Sequence, residues 1–447
     1  MEVQITETAL VAPATSPFDD DHVLPLSHID NDTNLRVSFR YLRAYVGTAA
    51  DPTADPFQVI SSALSTVLVR YYHLAGSLRN RADGRLELAC SKEGQVIPFV
   101  RATVDCTLEA VGYLDAPEEH FVEQLVPNPG PDEFMAHPFM LQLTTFKCGG
   151  FVLGTAVHHS LCDGMGATQF FNVMAEMARG VENGAVQAVW DRQKLLGPRD
   201  PPRVEAPIEE FLGLDSGFSP YEQPIGPVVR KFFHVKDECL DRFKKELLDR
   251  SGLNFTTFEA LGAFIWRAKV RAAKIPEDET VKYAYSLNIR KLVKPPLPFG
   301  YWGNGCVPMF AKVSTKDIVE KPIWETAELI KKSKRNATDE YVRSFIDYQG
   351  LYWGKGITAG KEVSGFTDWR HLGHSTVDFG WGGPVTVLPL CRKLLGGLEP
   401  TYFLPYSSAS VGEKDGFKIS VCLRESAMPA FQAEMKKFCS GDFGLSS

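Results

Sequence analysis

The sequence predicts two α/β domains joined by a proline-rich connection. A chain of 447 residues is too long for one ordinary hydrophobic core and fits two domains better than three. Strand and helix patterns occur on both sides of residues 198–227, which hold seven prolines and show no sustained period. We therefore expect a first domain at 1–185, a crossover linker at 186–227 and a second domain at 228–447.

The composition is that of a soluble globular protein, with 44% apolar and 23% charged residues. The chain has no apolar run of about 18 residues, so no membrane-spanning segment is expected. A net charge of -7 argues against nucleic acid as a partner, because no basic surplus is present to neutralise phosphates. Short basic stretches such as Lys331–Arg335 are more ordinary as solvated surface, although a ligand with a few phosphates would suit them.

The cysteine pattern favours an intracellular protein. The nine cysteines are scattered without a Cys-x-x-Cys pair, which is typical of reduced thiols rather than of disulfides or a metal site. The N-terminal stretch lacks the basic-then-apolar order of a secretory signal, and the C-terminal FGLSS matches no lipidation or retention signal. The expected location is therefore the cytoplasm.

In the first domain, the segment 55–72 is predicted to be an amphipathic helix. It opens with Asp55-Pro56, a favourable helix start. Its apolar side chains recur at helical spacing at Phe57, Ile60, Leu64, Val67 and Tyr71.

Two extended runs within residues 141–159 predict a β-hairpin with a two-residue turn at Gly149-Gly150. The next predicted element is an amphipathic helix that ends near Gly180. In the second domain, helical periodicity resumes after residue 228. The apolar positions of these two helices are Phe170, Val173, Met174 and Met177, and Leu240, Phe243, Leu247 and Leu248, respectively.

The motif HHSLCDG at 158–164 follows the second strand of the predicted hairpin. Because side chains alternate between the faces of a strand, His158 and His159 point in opposite directions, and only one of them can serve a given site. A histidine at the end of a strand beside a turn is rigid yet reachable, and a general base needs both properties.

Three interpretations of this motif remain open from the residues alone. The most ordinary is a core histidine with Asp163 capping the following helix. A metal site would need more ligands, and no other His, Asp or Glu cluster completes this one. Cys162 as a nucleophile would need its own base, so a packing role suits it better.

Other short motifs give no function. The Asp-Phe-Gly tripeptide at 378–380 is found in kinases, but neither a glycine-rich phosphate loop nor an HRD loop precedes it. No G-x-S-x-G, Walker or G-x-G-x-x-G motif occurs. His371 and His374 are interpreted as loop histidines.

Two motifs together resemble a known family. HHSLCDG at 158–164 and DFGWG at 378–382 are similar to the two signature motifs of the plant BAHD acyltransferases. The first motif alone also suits peptide-synthetase condensation domains and chloramphenicol-acetyltransferase-like enzymes, whereas the second selects the BAHD family. Further stretches with this resemblance lie at 71–79, 256–268 and 289–305.

The resemblance implies two chloramphenicol-acetyltransferase-like α/β domains with mixed sheets flanked by helices, joined by a long crossover loop. Coenzyme A and the acceptor would enter a channel at the domain interface from opposite faces. His159 would be the general base, and Asp163 would be a positioning residue that turns away from the substrates and pairs with Arg290. The second motif would be a structural element away from the chemistry, formed by Asp378, Phe379, Gly380, Trp381 and Gly382.

The implied reaction is direct acyl transfer. His159, with an ordinary pKa of roughly 6.5, would take the proton of a hydroxyl or amine that attacks the acyl-CoA thioester. Acyl-CoA is then a co-substrate, no permanently bound cofactor or metal is expected, and no acyl-enzyme on Cys162 is needed. An oxyanion donor should exist, and Ser286 and Trp381 are the candidates.

Thr256 and Glu259 have the spacing of a helix capping box. The N–H groups exposed at such a helix start also suit a phosphate. Thr256 and Thr257 are therefore candidate contacts for the coenzyme.

The expected function is an acyl-CoA-dependent O-acyltransferase that esterifies an alcohol in plant specialised metabolism, with a hydroxycinnamoyl, benzoyl or acetyl donor. An N-acyltransferase acting on an amine or polyamine is the alternative within the class, and an acidic pocket would favour it. A non-catalytic binding protein is the alternative outside the class, and the intact His159 and Asp163 count against it. A monomer is expected, because both faces of the channel must stay open.

Overall fold

The computed structural model describes residues 1–47, 53–181, 186–215, 226–390, 399–405 and 415–443. Their strands are β1 (Val3–Val11), β2 (His22–Pro25), β3 (Ser38–Tyr45), β4 (Ser77–Asn80), β5 (Leu86–Cys90), β6 (Ile97–Val104), β7 (Phe139–Phe146), β8 (Phe151–His158), β9 (Gly213–Leu214), β10 (Val228–Val235), β11 (Thr280–Asn288), β12 (Cys306–Ser314), β13 (Ile357–Thr358), β14 (Val363–Asp368), β15 (Thr386–Pro389), β16 (Thr401–Leu404) and β17 (Phe417–Arg424). Their α-helices are α1 (Pro56–Leu68), α2 (Glu119–Glu123), α3 (Pro131–Ala136), α4 (Gly164–Ala178), α5 (Arg192–Leu196), α6 (Asp237–Ser251), α7 (Thr257–Ala273), α8 (Thr315–Glu320), α9 (Ile323–Ser333), α10 (Asp339–Leu351) and α11 (Met428–Ser440).

Two six-stranded sheets form the framework of the fold. The first has the strand order β1-β6-β7-β8-β3-β15, and the second has the order β10-β17-β16-β14-β11-β12. Each is mixed, because β6 and β7 are parallel in the first sheet while β14 is parallel to both β11 and β16 in the second. Each sheet packs with helices around its own hydrophobic core. The predicted α/β fold with mixed sheets flanked by helices is confirmed.

The predicted helices are present, and local chemistry sets their ends. α1 follows Asp55, whose carboxylate accepts a hydrogen bond from the Phe57 N–H. It ends at Leu68, before the predicted residue 72, and the chain continues in turns. α6 ends at Ser251, and the next residue, Gly252, has a φ of 69°, the left-handed conformation common just after a helix. The predicted apolar positions of α1 and α4 pack in the first core, and Leu240, Phe243 and Leu247 of α6 pack in the second. Leu248, also predicted to be on the apolar face of α6, is 36% exposed.

The predicted hairpin is present, but its turn is longer than predicted. β7 and β8 are antiparallel, and residues 147–150 connect them. The Gly149 N–H donates to the Phe146 carbonyl at 2.9 Å, so the chain reverses over Phe146–Gly149 and Gly149, with a φ of 81°, is its last residue. Gly150 instead permits a close approach, because a Cβ there would lie 2.8 Å from the Tyr45 carbonyl oxygen.

The predicted linker at 186–227 contributes to the fold, although residues 216–225 lie outside the described residues. Leu196 and Ile208 are buried in the second core, and β9 pairs with β13. The division of the chain into domains stays a prediction. Nowhere in the described ranges is a helix both long and apolar enough to cross a membrane.

One segment from the second half of the chain belongs to the first sheet. β15 pairs antiparallel with β3, with Thr386 opposite Ala44. Just before β15, Phe379 and Trp381 pack in the first core. The DFGWG segment and β15 therefore pack with the first sheet, although the predicted boundaries place them within 228–447.

Candidate active site

A cavity of about 430 Å³ lies between the two hydrophobic cores. Phe39 and His159 line it from the first sheet, and Tyr285 and Phe366 line it from the second. A concave, mostly apolar site between two packed units is a common place for a small-molecule ligand.

His159 is the first residue after β8, and its side chain lines this cavity. Its backbone N–H donates to the Val37 carbonyl at 3.0 Å, which anchors the turn beside β3. His158 points to the other face, where its ring stacks on Phe134 at 5.3 Å and lines a separate cavity. The predicted opposite orientation of the two histidines is present.

The Asn304 side chain fixes the tautomer of His159. Its amide nitrogen has two acceptors, the Asp30 carboxylate at 2.9 Å and the His159 carbonyl at 2.8 Å, so the amide oxygen faces the imidazole. That oxygen lies 3.2 Å from His159 Nδ1, and it can only accept. The Nδ1 atom therefore carries the proton, and the lone pair of Nε2 is free.

A buried ion pair holds Asn304 in this orientation. The Asp30 carboxylate accepts from the Asn304 backbone N–H at 3.1 Å and lies 3.0 Å from Arg192, with both charged side chains fully buried. Arg192 also donates to the carbonyls of Ser160 and Leu161, the two residues after His159. An arginine of the predicted linker thus fixes the turn that carries the histidine.

The Asp163 carboxylate turns to Arg290 and makes two hydrogen bonds with it, at 2.8 and 2.9 Å. It also accepts from the backbone N–H groups of Gly166 and Gly305, each at 2.9 Å, and so caps α4. Burial acts to raise the pKa of Asp163, but Arg290 and the two N–H groups outweigh it and lower that pKa to about 2. The carboxylate is ionised at neutral pH and is fully occupied in holding this turn.

Burial lowers the pKa of His159 below its ordinary value of 6.5, while Asp163 and the hydrogen bond to Asn304 act in the opposite direction. The ring of Phe39 contacts the imidazole edge-on at a centroid distance of 5.4 Å and contributes to this burial. The imidazole is therefore neutral at pH 7, which is the state that a general base requires.

The chain is similar to known proteins over nearly its whole length. The model of the Transferase family matches residues 1–438. The chain belongs to this family. It is 33% identical over 442 residues to taxadien-5-alpha-ol O-acetyltransferase of Taxus chinensis, covering 98% of this chain and 97% of that protein. It is 32% identical over 444 residues to spermidine sinapoyl-CoA acyltransferase of Arabidopsis thaliana, covering 96% of each chain.

The crystal structure of vinorine synthase has the same fold, with a TM-score of 0.76 at 22% identity over 99% of this chain and 100% of that one. The predicted BAHD family, fold and enzyme class are confirmed. The protein is a plant-type acyltransferase that uses acyl-CoA as a co-substrate.

Thr256 and Thr257 lie at the start of α7 in the acyltransferase. The predicted capping box is present, because the Thr256 N–H donates to the Glu259 carboxylate at 2.8 Å and the Glu259 N–H lies 3.3 Å from the Thr256 hydroxyl. Neither threonine is among the described residues that line the cavity, but Phe258 and Lys334 are. Lys334 Nζ lies 2.6 Å from the Glu259 carboxylate, at the same helix start.

The two candidate oxyanion donors have different positions in the acyltransferase. Ser286 is exposed on β11 and lines the cavity. Trp381 is absent from the described lining residues, and its ring packs edge-on against Phe151 in the first core at 5.5 Å. Trp381 as an oxyanion donor is therefore wrong, because the segment before β15 places this ring beside Phe151, at the opposite end of β8 from His159.

The DFGWG segment makes structural contacts. The Asp378 carboxylate accepts from the Gly380 N–H at 2.8 Å, and its carbonyl accepts from Arg179 just after α4. Phe379 is buried against the Tyr45 ring. These contacts fasten the start of β15 to the first sheet.

The geometry does not support two other interpretations of the HHSLCDG motif, a nucleophilic Cys162 and a metal site. Burial raises the pKa of the Cys162 thiol, which disfavours the nucleophilic thiolate. Within the described part of the chain, no group of three or more His, Cys, Asp and Glu side chains is arranged to hold a metal ion.

Sequence reasoning did not identify Asn304, Asp30 or Arg192. Asn304 had a weak signal, since a lone polar residue between two glycines marks a loop that approaches other groups closely. The loop is close-packed at Gly305, where a Cβ would lie 2.5 Å from Arg290 Nη1. No sequence pattern indicated Asp30 or Arg192, because their pairing depends on the tertiary fold.

Proposed function

We propose that the acyltransferase esterifies an alcohol, with His159 as the general base. The observation that carries this proposal is the hydrogen bond between His159 Nδ1 and Asn304, because it leaves an unprotonated Nε2 on a ring that lines the cavity. Asp163 and Arg290 act as positioning residues that hold the turn after His159.

The reaction needs no covalent intermediate. His159 Nε2 takes the hydroxyl proton as the acceptor oxygen attacks the thioester carbonyl carbon, and the carbonyl electron pair moves to oxygen. Collapse of this tetrahedral oxyanion re-forms the carbonyl and breaks the carbon–sulfur bond. The coenzyme A thiolate takes the proton back from the imidazolium, so ester and free thiol leave with His159 neutral.

The oxyanion donor and the coenzyme entrance are assigned from the residues on and near the cavity wall. Ser286 is the proposed oxyanion donor, because its exposed hydroxyl lies on the cavity wall. The coenzyme is proposed to enter at the start of α7, where the first helical turn, which begins at Thr257, presents backbone N–H groups. The Thr256 N–H is taken by Glu259, and Lys334, which also pairs with Glu259, lies on the cavity wall.

A hydroxyl acceptor suits a neutral His159 directly. A hydroxyl is neutral at pH 7 and needs the base only in the transition state. An alkyl amine resembles lysine, with a pKa of about 10.4, and must first lose a proton to solvent before its nitrogen can attack.

One observation favours an amine as the second candidate. Asp32 lines the cavity, and it forms no ion pair with a described Lys or Arg side chain; its oxygens accept from Asn34 and Gln349 instead. Burial raises the pKa of Asp32. An ammonium group bound beside it would supply the missing counter-charge.

Product analysis with mixed acceptors distinguishes the two candidates. With equimolar alcohols and amines, we expect the ester to dominate and Asp32→Asn to change its kcat/KM by only a few fold. Mass spectrometry identifies the product. A dominant amide whose formation falls by about tenfold or more in Asp32→Asn, the effect of losing a charged hydrogen bond, would support the amine instead.

Asn304→Ala is expected to lower kcat by about 10- to 100-fold, because the imidazole loses its fixed tautomer and orientation. The bond to Asn304 raises the pKa of His159, so its removal should move the acid limb of the kcat/KM profile to lower pH. Asn254→Ala, at an exposed position, is the matched control. An effect on KM alone, with an unmoved pH profile, would contradict this role.

Organisation and location are also part of the proposal. We propose the domains 1–185 and 228–447 with the crossover 186–227, apart from the exchanged β15 segment. The free thiols of all eight described cysteines support a cytoplasmic location. A monomer is proposed because acyl-CoA and acceptor need separate access to one cavity.

A further inference from the structure

Exposed side chains mark a place where the catalytic cavity opens to solvent. Among the described residues that line the cavity, Met165, Ser286 and Asn288 are exposed, and the others are buried or half-buried. Met165 is the second residue of α4, and the other two lie near the end of β11. We name the opening between these two elements the α4–β11 mouth and define it by these three residues.

A side-chain contact spans the α4–β11 mouth. Asn288 Nδ2 lies 2.6 Å from Met165 Sδ, where the amide donates to a thioether sulfur, a weak acceptor. The other end of the amide fixes its orientation, because Asn288 Oδ1 accepts from the Arg290 backbone N–H at 3.0 Å. The Met165 and Asn288 side chains therefore form a bar across the mouth, from a helix of the first core to a strand of the second sheet.

The backbone is held firmly on both sides of this bar. Asp163 lies two residues before Met165 and caps α4. Arg290 lies two residues after Asn288, and its guanidinium makes the two hydrogen bonds with the Asp163 carboxylate described above. The main chains cannot separate here without breaking that ion pair. The width of the mouth therefore depends on the Met165 side chain, which has three rotatable bonds and can move at little cost.

The α4–β11 mouth lies on the opposite face of β11 from the proposed coenzyme entrance. Because side chains alternate between the faces of a strand, Ser286 and Asn288 point away from the face of Tyr285. The Tyr285 ring contacts Phe258, the second residue of α7, at a centroid distance of 5.7 Å. A coenzyme that enters at the start of α7 leaves the α4–β11 mouth to the acceptor.

We propose that Met165 and Asn288 select the acceptor by its width, so that the bar admits a slender alcohol and hinders an alcohol that is bulky beside its hydroxyl-bearing carbon. This inference rests on the proposed function. The acceptor must bring its hydroxyl to His159, so the carbon skeleton next to that hydroxyl is the part that has to pass the bar.

Two primary alcohols of different width test this selection. The donor is the most active of acetyl-, benzoyl-, coumaroyl- and caffeoyl-CoA. The wild type is expected to use n-hexanol with a kcat/KM at least about tenfold above that of adamantylmethanol, within the range that an apolar site can discriminate. Met165→Ala removes the movable part of the bar and should raise the ratio of adamantylmethanol to n-hexanol by about tenfold.

Two further variants sharpen the test. Asn288→Ala frees the thioether without removing it, so it should raise the same ratio by a smaller factor. Leu351→Ala, at a leucine that is 47% exposed and is not among the described lining residues, is the matched control and should leave the ratio unchanged.

The contradicting results are separate from failure of the proposed function. An unchanged ratio in Met165→Ala, or a wild type that uses both alcohols equally, would overturn the inference. So would a Met165→Ala variant that changes only the KM for acyl-CoA, because the mouth would then serve the coenzyme. A protein that forms amides and no esters would overturn the O-acyltransferase instead, and n-hexylamine and adamantylmethylamine would then test the same selection by width.

Discussion

Replacing His159 with alanine is expected to lower kcat/KM for ester formation by about 10²- to 10⁴-fold, the usual contribution of a positioned general base. The imidazole donates one hydrogen bond, to Asn304, and otherwise faces the cavity. The melting temperature of His159→Ala should therefore stay close to that of the wild type. Steady-state kinetics and thermal melting by circular dichroism measure the two quantities.

The pH dependence of kcat/KM is a second test of His159 as the general base. Because burial lowers the pKa of His159, the wild-type kcat/KM should be flat around pH 7 and fall only as the pH drops below 6.5. His120→Ala, at an exposed histidine, is the matched control and should behave like the wild type. A His159→Ala variant with near-normal turnover would exclude this residue as the base.

Asp163→Ala is expected to lose both activity and stability. Its carboxylate is the partner of Arg290 in a largely buried pair, and removing one partner leaves an uncompensated charge, at a cost of about 3–5 kcal/mol. The same change removes the cap of α4 and frees the turn that holds His159. Chemical denaturation would measure the loss of stability, and steady-state kinetics would measure the loss of activity.

The stability difference should also depend on pH with a definite sign. The pKa of Asp163 is lowered to about 2 from the model-compound value of 3.8, so its contribution is fully present above 3.8 and is lost as the pH falls through about 2. Glu246→Ala breaks the exposed Arg250 pair and should cost less than about 1 kcal/mol. An Asp163→Ala protein as stable as the wild type at pH 7 would rule out the positioning role.

Much of the local structure was predictable because it depends on near neighbours. Helical spacing of apolar residues identified α1, α4 and α6, and the Asp55 and Thr256 caps act within three residues along the chain. Strand alternation likewise predicted that His158 and His159 face opposite sides. The pairing of Asp163 with Arg290 came from the family resemblance and not from spacing.

The parts that sequence reasoning missed depend on distant pairings. β15 joins β3 across most of the chain length, and no local pattern records that exchange. Trp381 was misplaced for this reason. Asn304 and Arg192 reach His159 only because a loop of the second half and the linker both fold against β8.

His374 illustrates the same limit. Its place in a short glycine-containing turn predicted an ordinary loop histidine, yet its side chain is 1% exposed and bonded to Arg43 of β3. The His374 ring is buried because Trp369, which itself packs against Tyr402, covers it. The composition of the turn gave no sign of that burial.

The most direct test of the central claim is the release of coenzyme A thiol by the wild type and by His159→Ala, with and without an acceptor. Acetyl-, benzoyl-, coumaroyl- and caffeoyl-CoA would be supplied against pooled alcohols and amines, and mass spectrometry would identify the products. We expect thiol release only when both His159 and an alcohol are present, with one ester formed per thiol. Stoichiometric thiol release by the wild type without acceptor, or undiminished release by His159→Ala, would contradict direct transfer by this base.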